Sequence, residues 1–444
     1  MLYNINFTIL DFVWAAVALI GVVVFGLLTR FQWIRSNVLA GFLFFKLAFG
    51  YSFTVWAILS GIEWDSAGYY QQGLVFSSML FDLLRLESMD YLTTTPFWWF
   101  DGSSTDRFSS LVGLFLVASG DSYLAATGIV CFLGAIGQLL IYRFFRERFP
   151  QVRAVYFLPV LFHPSLMMWS GMLLKDSMGI FALGGAVYSL HRFLAKRELF
   201  AFAPLAFSVG VILLFRSFIF LPLVAFTLFL VWDQVILPYT RRRSDGNILK
   251  LLLFMMAFLV CAVVLWALVS KLGGSLIEER REGADVFSQI EAGSSFENVD
   301  LSFSVGGILG LGLGTLNSLF RPFPWDVFKP IQAMAALENL MVMGFVWVGF
   351  SAYQRRLTPH QRVQFSGIFW GMLVVALIIA TGVGLFASNS GTISRYRIPM
   401  IPFLVAVPGL ALGMADSFTR RSRHFTRWNV GQQTVVLRKE ARLT

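Results

Sequence analysis

The chain has 444 residues, of which 57% are hydrophobic and 14% charged, with a formal net charge of +10 at pH 7. A soluble domain carries roughly a quarter of its residues as charges, so this composition excludes a soluble globular protein and predicts a polytopic, all-α membrane domain. Nor does the positive balance describe a nucleic-acid binder, because the Arg and Lys residues fall in short links between apolar runs.

In chain order, apolar runs at 10–28, 38–60, 122–142, 154–168, 176–192, 200–215, 218–234, 249–270, 330–351, 366–386 and 399–416 predict about eleven membrane helices. Those around 154–192 are shorter than the roughly 20 residues a span needs and predict tilted or broken helices shielded by neighbours. The N-terminus, MLYNINFTILD, lacks the basic region of a cleavable leader. Cys131 and Cys261 lie inside apolar runs and read as small core residues. Arg30, Arg35, the RFFRERFPQVR link, Arg192, Lys196, Arg241 to Arg243, Arg355, Arg356, Arg362 and the tail from Arg420 fall on one side if the runs alternate. That side is expected to be cytoplasmic, with the N-terminus outside and the C-terminus inside. The predicted organisation is a single transmembrane domain over 1–418, with outer loops 61–121, 271–329 and 387–398, followed by a basic cytoplasmic tail at 419–444.

The outer links carry most of the remaining polarity. Within 61–107, YQQGLVFSSMLFDLLRL has the spacing of a helix lying along the interface, and Trp98, Trp99 and Phe100 read as interface anchors. Residues 108–118 are apolar but too short to span alone, which suits a re-entrant or surface piece. The link 271–300 is mixed in charge, and the glycines of 301–320 suggest a re-entrant or loosely packed element.

Isolated charges at the outer ends of apolar runs are the candidate site. The stretch HPSLMMWSGMLLKD, 163–176, ends in Lys175 and Asp176. Asp176 reads either as a helix cap or as a catalytic carboxylate. Lys175 suits a phosphate or another anion, and Arg216, in a tight hairpin, calls for an anion or a carboxylate. In LFRPFPWD, Pro322 and Pro324 hold Arg321 and Trp325 on a non-helical strip, suited to phosphate and to a sugar ring or polyprenyl chain, or simply to anchoring at the interface. Glu338, inside a membrane run, is either part of the site or, as the better expectation, a structural partner of one of the arginines. Arg395 and Arg397 break the positive-inside trend and require compensation by carboxylates or a bound pyrophosphate. Asp65, with Glu63, Tyr69 and Tyr70 beside it, is the candidate general base, its alternative being a cap for the interface helix. No Walker loop, HExxH or GxSxG pattern occurs.

Asp65 in the first large outer loop, the HPSLMMWSGMLLKD break and the arginines of RPFPWD and GTISRYR together resemble the membrane glycosyltransferases that use polyprenyl-phosphate-linked sugars, the GT-C superfamily, and related polysaccharide polymerases. The resemblance implies that Asp65 acts as base while Lys175, Arg321, Arg395 and Arg397 hold the lipid phosphate. Two departures are visible: the acidic residue follows the second predicted helix rather than the first, and Glu63 and Asp65 are separated by Trp64. The implied activity is glycosyl or oligosaccharyl transfer from a polyprenyl phosphate or pyrophosphate to a glycan or lipid acceptor at the outer face of a bacterial inner membrane. Membrane lipids and envelope-synthesis proteins are the expected partners. No metal or soluble cofactor is expected, beyond a divalent ion accompanying a pyrophosphate. The alternatives are a flippase for an anionic lipid-linked substrate, with the glycine-rich 301–320 as a moving element, or a non-catalytic subunit of an envelope assembly complex.

Overall fold

The computed structural model describes residues 5, 7–60, 65–84, 103–236, 305–327, 330–386 and 390–440. Glu63, the Trp98–Phe100 anchor, Arg241 to Arg243, Cys261, the predicted span at 249–270 and the link 271–300 lie outside them. The secondary structure is helical, and the chain is a polytopic, all-α membrane protein. Among the described residues, seven helices are long and apolar enough to cross a bilayer: Ile9–Leu28, Ser36–Leu59, Tyr123–Arg148, Lys175–Lys196, Ser217–Gln234, Gln332–Arg356 and Gly391–Arg420. Leu199–Phe215 and Phe369–Gly384 are apolar but shorter.

Helix α1 (Ile9–Leu28) starts at a capping box in which the Thr8 backbone N–H donates to Asp11 Oδ2 at 2.8 Å and the Asp11 N–H to Thr8 Oγ1 at 3.3 Å. The other oxygen of Asp11 accepts from Ser122 Oγ at 2.7 Å and from the Leu124 N–H at 3.2 Å. That links the start of α1 to the start of α5 (Tyr123–Arg148). Between them in sequence lie α2 (Ser36–Leu59) and a helical hairpin, α3 (Asp65–Leu84) and α4 (Ser104–Ser119), packed on one another. The stretch expected to form an interface helix and the short apolar piece at 108–118 thus fall on two helices packed on one another.

The predicted span at 154–168 is instead three short pieces: a 3₁₀ turn (Ala154–Phe157), α6 (Leu158–Phe162) and α7 (Pro164–Trp169). Pro159 and Pro164 sit in the first turns of α6 and α7, where a missing N–H costs nothing, and each stops the helix before it. Irregular backbone at this depth survives only where protein satisfies its polar groups. Here Gln138 Nε2 donates to the carbonyls of Val160 and Leu161, both at 3.3 Å. Lys46 Nζ donates to Leu166 O at 3.0 Å, and Ser177 Oγ to Met172 O at 3.0 Å.

After this break, α8 (Lys175–Lys196) runs as a continuous helix against α5 and α9 (Phe202–Phe215). Its approach to α5 is close: a Cβ on Gly184 would lie 2.1 Å from Gly137 O, so neither position accepts a side chain. Helix α10 (Phe220–Val231) follows. Beyond the undescribed stretch, α11 (Val305–Phe320) is a continuous helix packed on α13 (Pro359–Phe386), although its glycines suggested a looser element. Helices α12 (Pro330–Arg356), α14 (Ser390–Tyr396) and α15 (Ile401–Glu440) complete the fold, with α12 against α15. The face holding the far ends of α5, α8 and α10 is tied by Lys196–Glu147 and Arg148–Asp233 ion pairs, each at 2.6 Å.

Candidate active site

Four separate stretches of chain converge at the start of α8. Asp176, in its first turn, has a side chain only 4% exposed and cannot remain charged there without partners. Arg216, just after α9, donates from Nη2 to Asp176 Oδ2 at 2.7 Å. Arg395, in α14, donates to the same oxygen from Nε at 2.5 Å, and from Nη1 to Asp65 Oδ2 at the start of α3. One buried carboxylate thus orients two guanidinium groups, and one guanidinium joins two carboxylates. Asp65 differs from Asp176 in access, with a side chain 55% exposed.

Lys175 belongs to this group without an ion pair among the described residues. Its Nζ donates to Ser104 Oγ at 3.1 Å and Thr105 Oγ1 at 3.0 Å, in the first turn of α4, and lies 5.5 Å from the Tyr69 ring. Tyr69 also packs edge-on against Phe108 at 4.9 Å. Burial pushes the Tyr69 hydroxyl up to about 12, so the ring beside Lys175 stays neutral at any physiological pH. Tyr396, 5.0 Å below the Arg216 guanidinium, adds a second aromatic face. Three cations therefore meet two carboxylates, leaving an excess of positive charge beside an accessible acid. Tyr70, although next to Tyr69, turns away: its hydroxyl donates to Asp121 O at 2.8 Å and its ring meets Tyr123.

Arg321, Trp325 and Arg397 are assembled elsewhere, around Glu338. His163 Nδ1 lies 2.9 Å from Glu338 Oε1, and Ser165 Oγ donates to Oε2 at 2.8 Å. Arg397 is buried, donates from Nη1 to Arg321 O at 3.3 Å and feels the Glu338 charge. Arg321 Nε in turn donates to Asp326 Oδ2 at 2.8 Å. Although Asp326 is partly desolvated, this bond and the Phe323 N–H hold its carboxyl below the usual range. Asn339 Nδ2 fixes the turn by donating to Phe320 O at 2.8 Å and Pro322 O at 3.3 Å. Trp325, 74% exposed, stacks on Phe323 at 4.8 Å. The two arginines of RYR thus part company, Arg395 to Asp65 and Asp176, Arg397 to the Glu338 cluster.

Sequence reasoning passed over Lys46, Asp11, Ser104 and Thr105. Lys46 and Asp11 were each visible as a lone charge in an apolar run, a placement that demands a partner. The two hydroxyls carry no such signal. An apolar groove of about 490 Å³, lined by Trp14, Phe25, Tyr51, Ala125 and Phe132 among others, lies between α1, α2 and α5. Among the described residues no three His, Cys, Asp or Glu side chains converge as a metal site.

Residues 109–268 match the family described as dolichyl-phosphate-mannose-protein mannosyltransferase. The matched stretch begins in α4 and contains the break, Lys175, Asp176 and Arg216, but neither Asp65 nor Arg395. This similarity bears out the resemblance to GT-C glycosyltransferases that use lipid-phosphate donors, and it supports enzymatic glycosyl transfer. No curated protein and no solved structure matches the chain.

Proposed function

We propose that this protein transfers a glycosyl or oligosaccharyl unit from a polyprenyl phosphate or pyrophosphate to a glycan or lipid acceptor, in cell-envelope or exopolysaccharide synthesis. The observation that carries the reading is the excess of cations around Lys175, Arg216 and Arg395 beside the exposed carboxylate of Asp65. In this reading Asp65 takes the proton of an acceptor hydroxyl as its oxygen bonds to the sugar's anomeric carbon. The bond from that carbon to the phosphate oxygen breaks, and the leaving phosphate keeps the electron pair. Lys175 and Arg395 neutralise it, with Asp176 and Arg216 orienting Arg395. Arg321 and Arg397, which the sequence reading gave to the phosphate, and Trp325, which it gave to a sugar ring or polyprenyl chain, are better suited to shaping the neighbouring surface, where the exposed indole can meet sugar or lipid. The apolar groove has the chemistry to take a polyprenyl chain.

The same reading sets the site on the outer side of a bacterial inner membrane, with about eleven spans, the N-terminus outside and the C-terminus cytoplasmic. The support is the arginine-bearing links, including those at the far ends of α5 and α8. The test is purified protein in lipid with a labelled polyprenyl-phosphate sugar and candidate acceptors. New glycosidic product supports the reading. Translocation of the labelled lipid across the vesicle without product overturns it in favour of a flippase.

A further inference from the structure

Lys46 is 0% exposed near the middle of α2, and among the described residues it has no carboxylate within ion-pair distance. An ammonium group in such a place must satisfy its N–H bonds with neutral acceptors, and it does so on one short piece of chain. Its Nζ donates to Leu166 O at 3.0 Å and to Ser170 Oγ at 2.6 Å. Leu166 O also accepts from Ser170 Oγ at 2.5 Å, so lysine, serine and carbonyl form a closed triangle at the C-terminal end of α7. Leu166 O also accepts from the Ser170 N–H at a long 3.4 Å, so the lysine bond reinforces a weak backbone bond at this helix end.

The neighbouring backbone is clamped on both sides. One turn along α2 from Lys46, a Cβ on Gly50 would lie 2.2 Å from Gly171 O. From α5, a Cβ on Gly134 would lie 2.5 Å from Ser170 O. Residues 170–171 therefore fill a slot between two helix backbones, and Lys46 supplies the polar bond that holds them there. Four residues beyond Gly171, the chain enters α8 at Lys175 and Asp176.

We propose that Lys46 is a positioning residue that latches the broken segment 166–171 to α2 and so fixes Lys175 and Asp176 for work on the donor phosphate. The proposal rests on the glycosyl-transfer reading for its catalytic consequence but not for the latch itself. What matters is donation to Leu166 O and Ser170, not charge. An amide one bond shorter can supply part of it, whereas a thioether cannot donate at all.

The experiment measures amide hydrogen exchange over 163–177 in lipid nanodiscs, together with transfer from the labelled polyprenyl-phosphate sugar normalised to folded protein. The variants are Lys46→Met, Lys46→Gln, Ser170→Ala and the double variant Lys46→Met with Ser170→Ala. Lys46→Met is expected to exchange at least about 10-fold faster over 166–176, with α5 unchanged, and to lose about 10–100-fold in kcat/KM, the scale expected of a misplaced catalytic group. Lys46→Gln, whose shorter amide still donates, is expected to fall between wild type and Lys46→Met in both, and the double variant to lose no more than Lys46→Met alone. Wild-type exchange in Lys46→Met overturns the latch, and faster exchange with wild-type kcat/KM overturns its positioning role. If Lys46→Met does not accumulate, Lys46→Gln and Ser170→Ala decide together, and wild-type exchange in both overturns the proposal. Absence of transfer by every protein, wild type included, rejects the transfer reading alone, and the exchange data still decide the latch.

Discussion

Residues 163–176 and 395–397 each feed two charged clusters on the same face, and the clusters are constructed differently. His163, Ser165 and Arg397 go to Glu338; Asp176 and Arg395 go to Arg216 and Asp65, with Lys175 beside them on Ser104 and Thr105. In the Glu338 cluster the charges match: Arg397 and Arg321 face Glu338 and Asp326, and Glu338, Asn339 and Arg397 are all buried. In the Asp65 cluster three cations face two carboxylates, and one carboxylate is open to solvent. A charge-balanced network with a buried centre specifies how segments pack. An unbalanced, partly open one has unspent capacity for an anion and a base in reach of substrate. The predictions below test that division, beginning with the two carboxylates that share Arg395.

Asp176→Asn is expected to have the largest effect. It leaves two arginines in a site whose carboxylate is 4% exposed, and removing one partner of a buried charge set costs about 3–5 kcal/mol. The protein should lose membrane abundance and thermal stability; a variant of full abundance whose only defect is turnover would make Asp176 a catalytic group rather than the orienter. Asp65→Asn, on the same arginine but 55% exposed, is expected to accumulate normally. It should bind donor and lose roughly 100-fold or more in turnover, the lower end for general-base catalysis. Near-normal turnover would remove Asp65 as base. Lost donor binding with intact turnover of bound donor would assign it to positioning.

The charged members of the Asp65 cluster were legible because they sit at the ends of apolar runs, where a membrane chain tolerates charge only for a reason. Their division into two clusters was not. Arg395 and Arg397 are two positions apart at the end of α14, and residues so spaced on a helical turn point to opposite sides, a fact that spacing reveals only once the local backbone is known. Glu338 was expected to partner an arginine; its nearest groups are His163 and Ser165, about 170 residues away in sequence, with Arg397 behind. Lys46 was lost for a different reason: averaged over ten apolar neighbours, one ammonium hardly lowers the hydropathy of a run. The prolines of 154–168 did carry the message that no single helix could form there, and length alone pointed the same way.

Glu338→Gln sharpens the contrast from the other cluster. The amide keeps an acceptor for Ser165 but removes the charge that Arg397 feels, leaving a buried polar network partly satisfied at a cost of about 1–3 kcal/mol. Membrane yield and melting temperature should fall while turnover per folded molecule stays within a few-fold of wild type. Full yield with lost turnover would move Glu338 into the chemistry and erase the distinction between the clusters.

The smallest effect concerns the rim of the Glu338 cluster, where Arg321 and Asp326 are 23% and 18% exposed and water screens their attraction. Such a pair is worth about 0.2–1 kcal/mol, measurable as a difference in melting temperature between wild type and Asp326→Asn. The sign follows from the carboxyl, which in the folded protein lies below its ordinary value of 3.8 despite partial burial, because Arg321 and the Phe323 N–H bond its ionised form. A carboxylate lowered on folding stabilises fully above its unfolded pKa and loses that contribution as pH falls through the folded one. The difference between the two proteins should therefore be flat from pH 7 down to about 5 and shrink progressively below about pH 4. A difference that instead vanished between pH 7 and 6 could not come from this carboxyl. It would place the titrating group elsewhere.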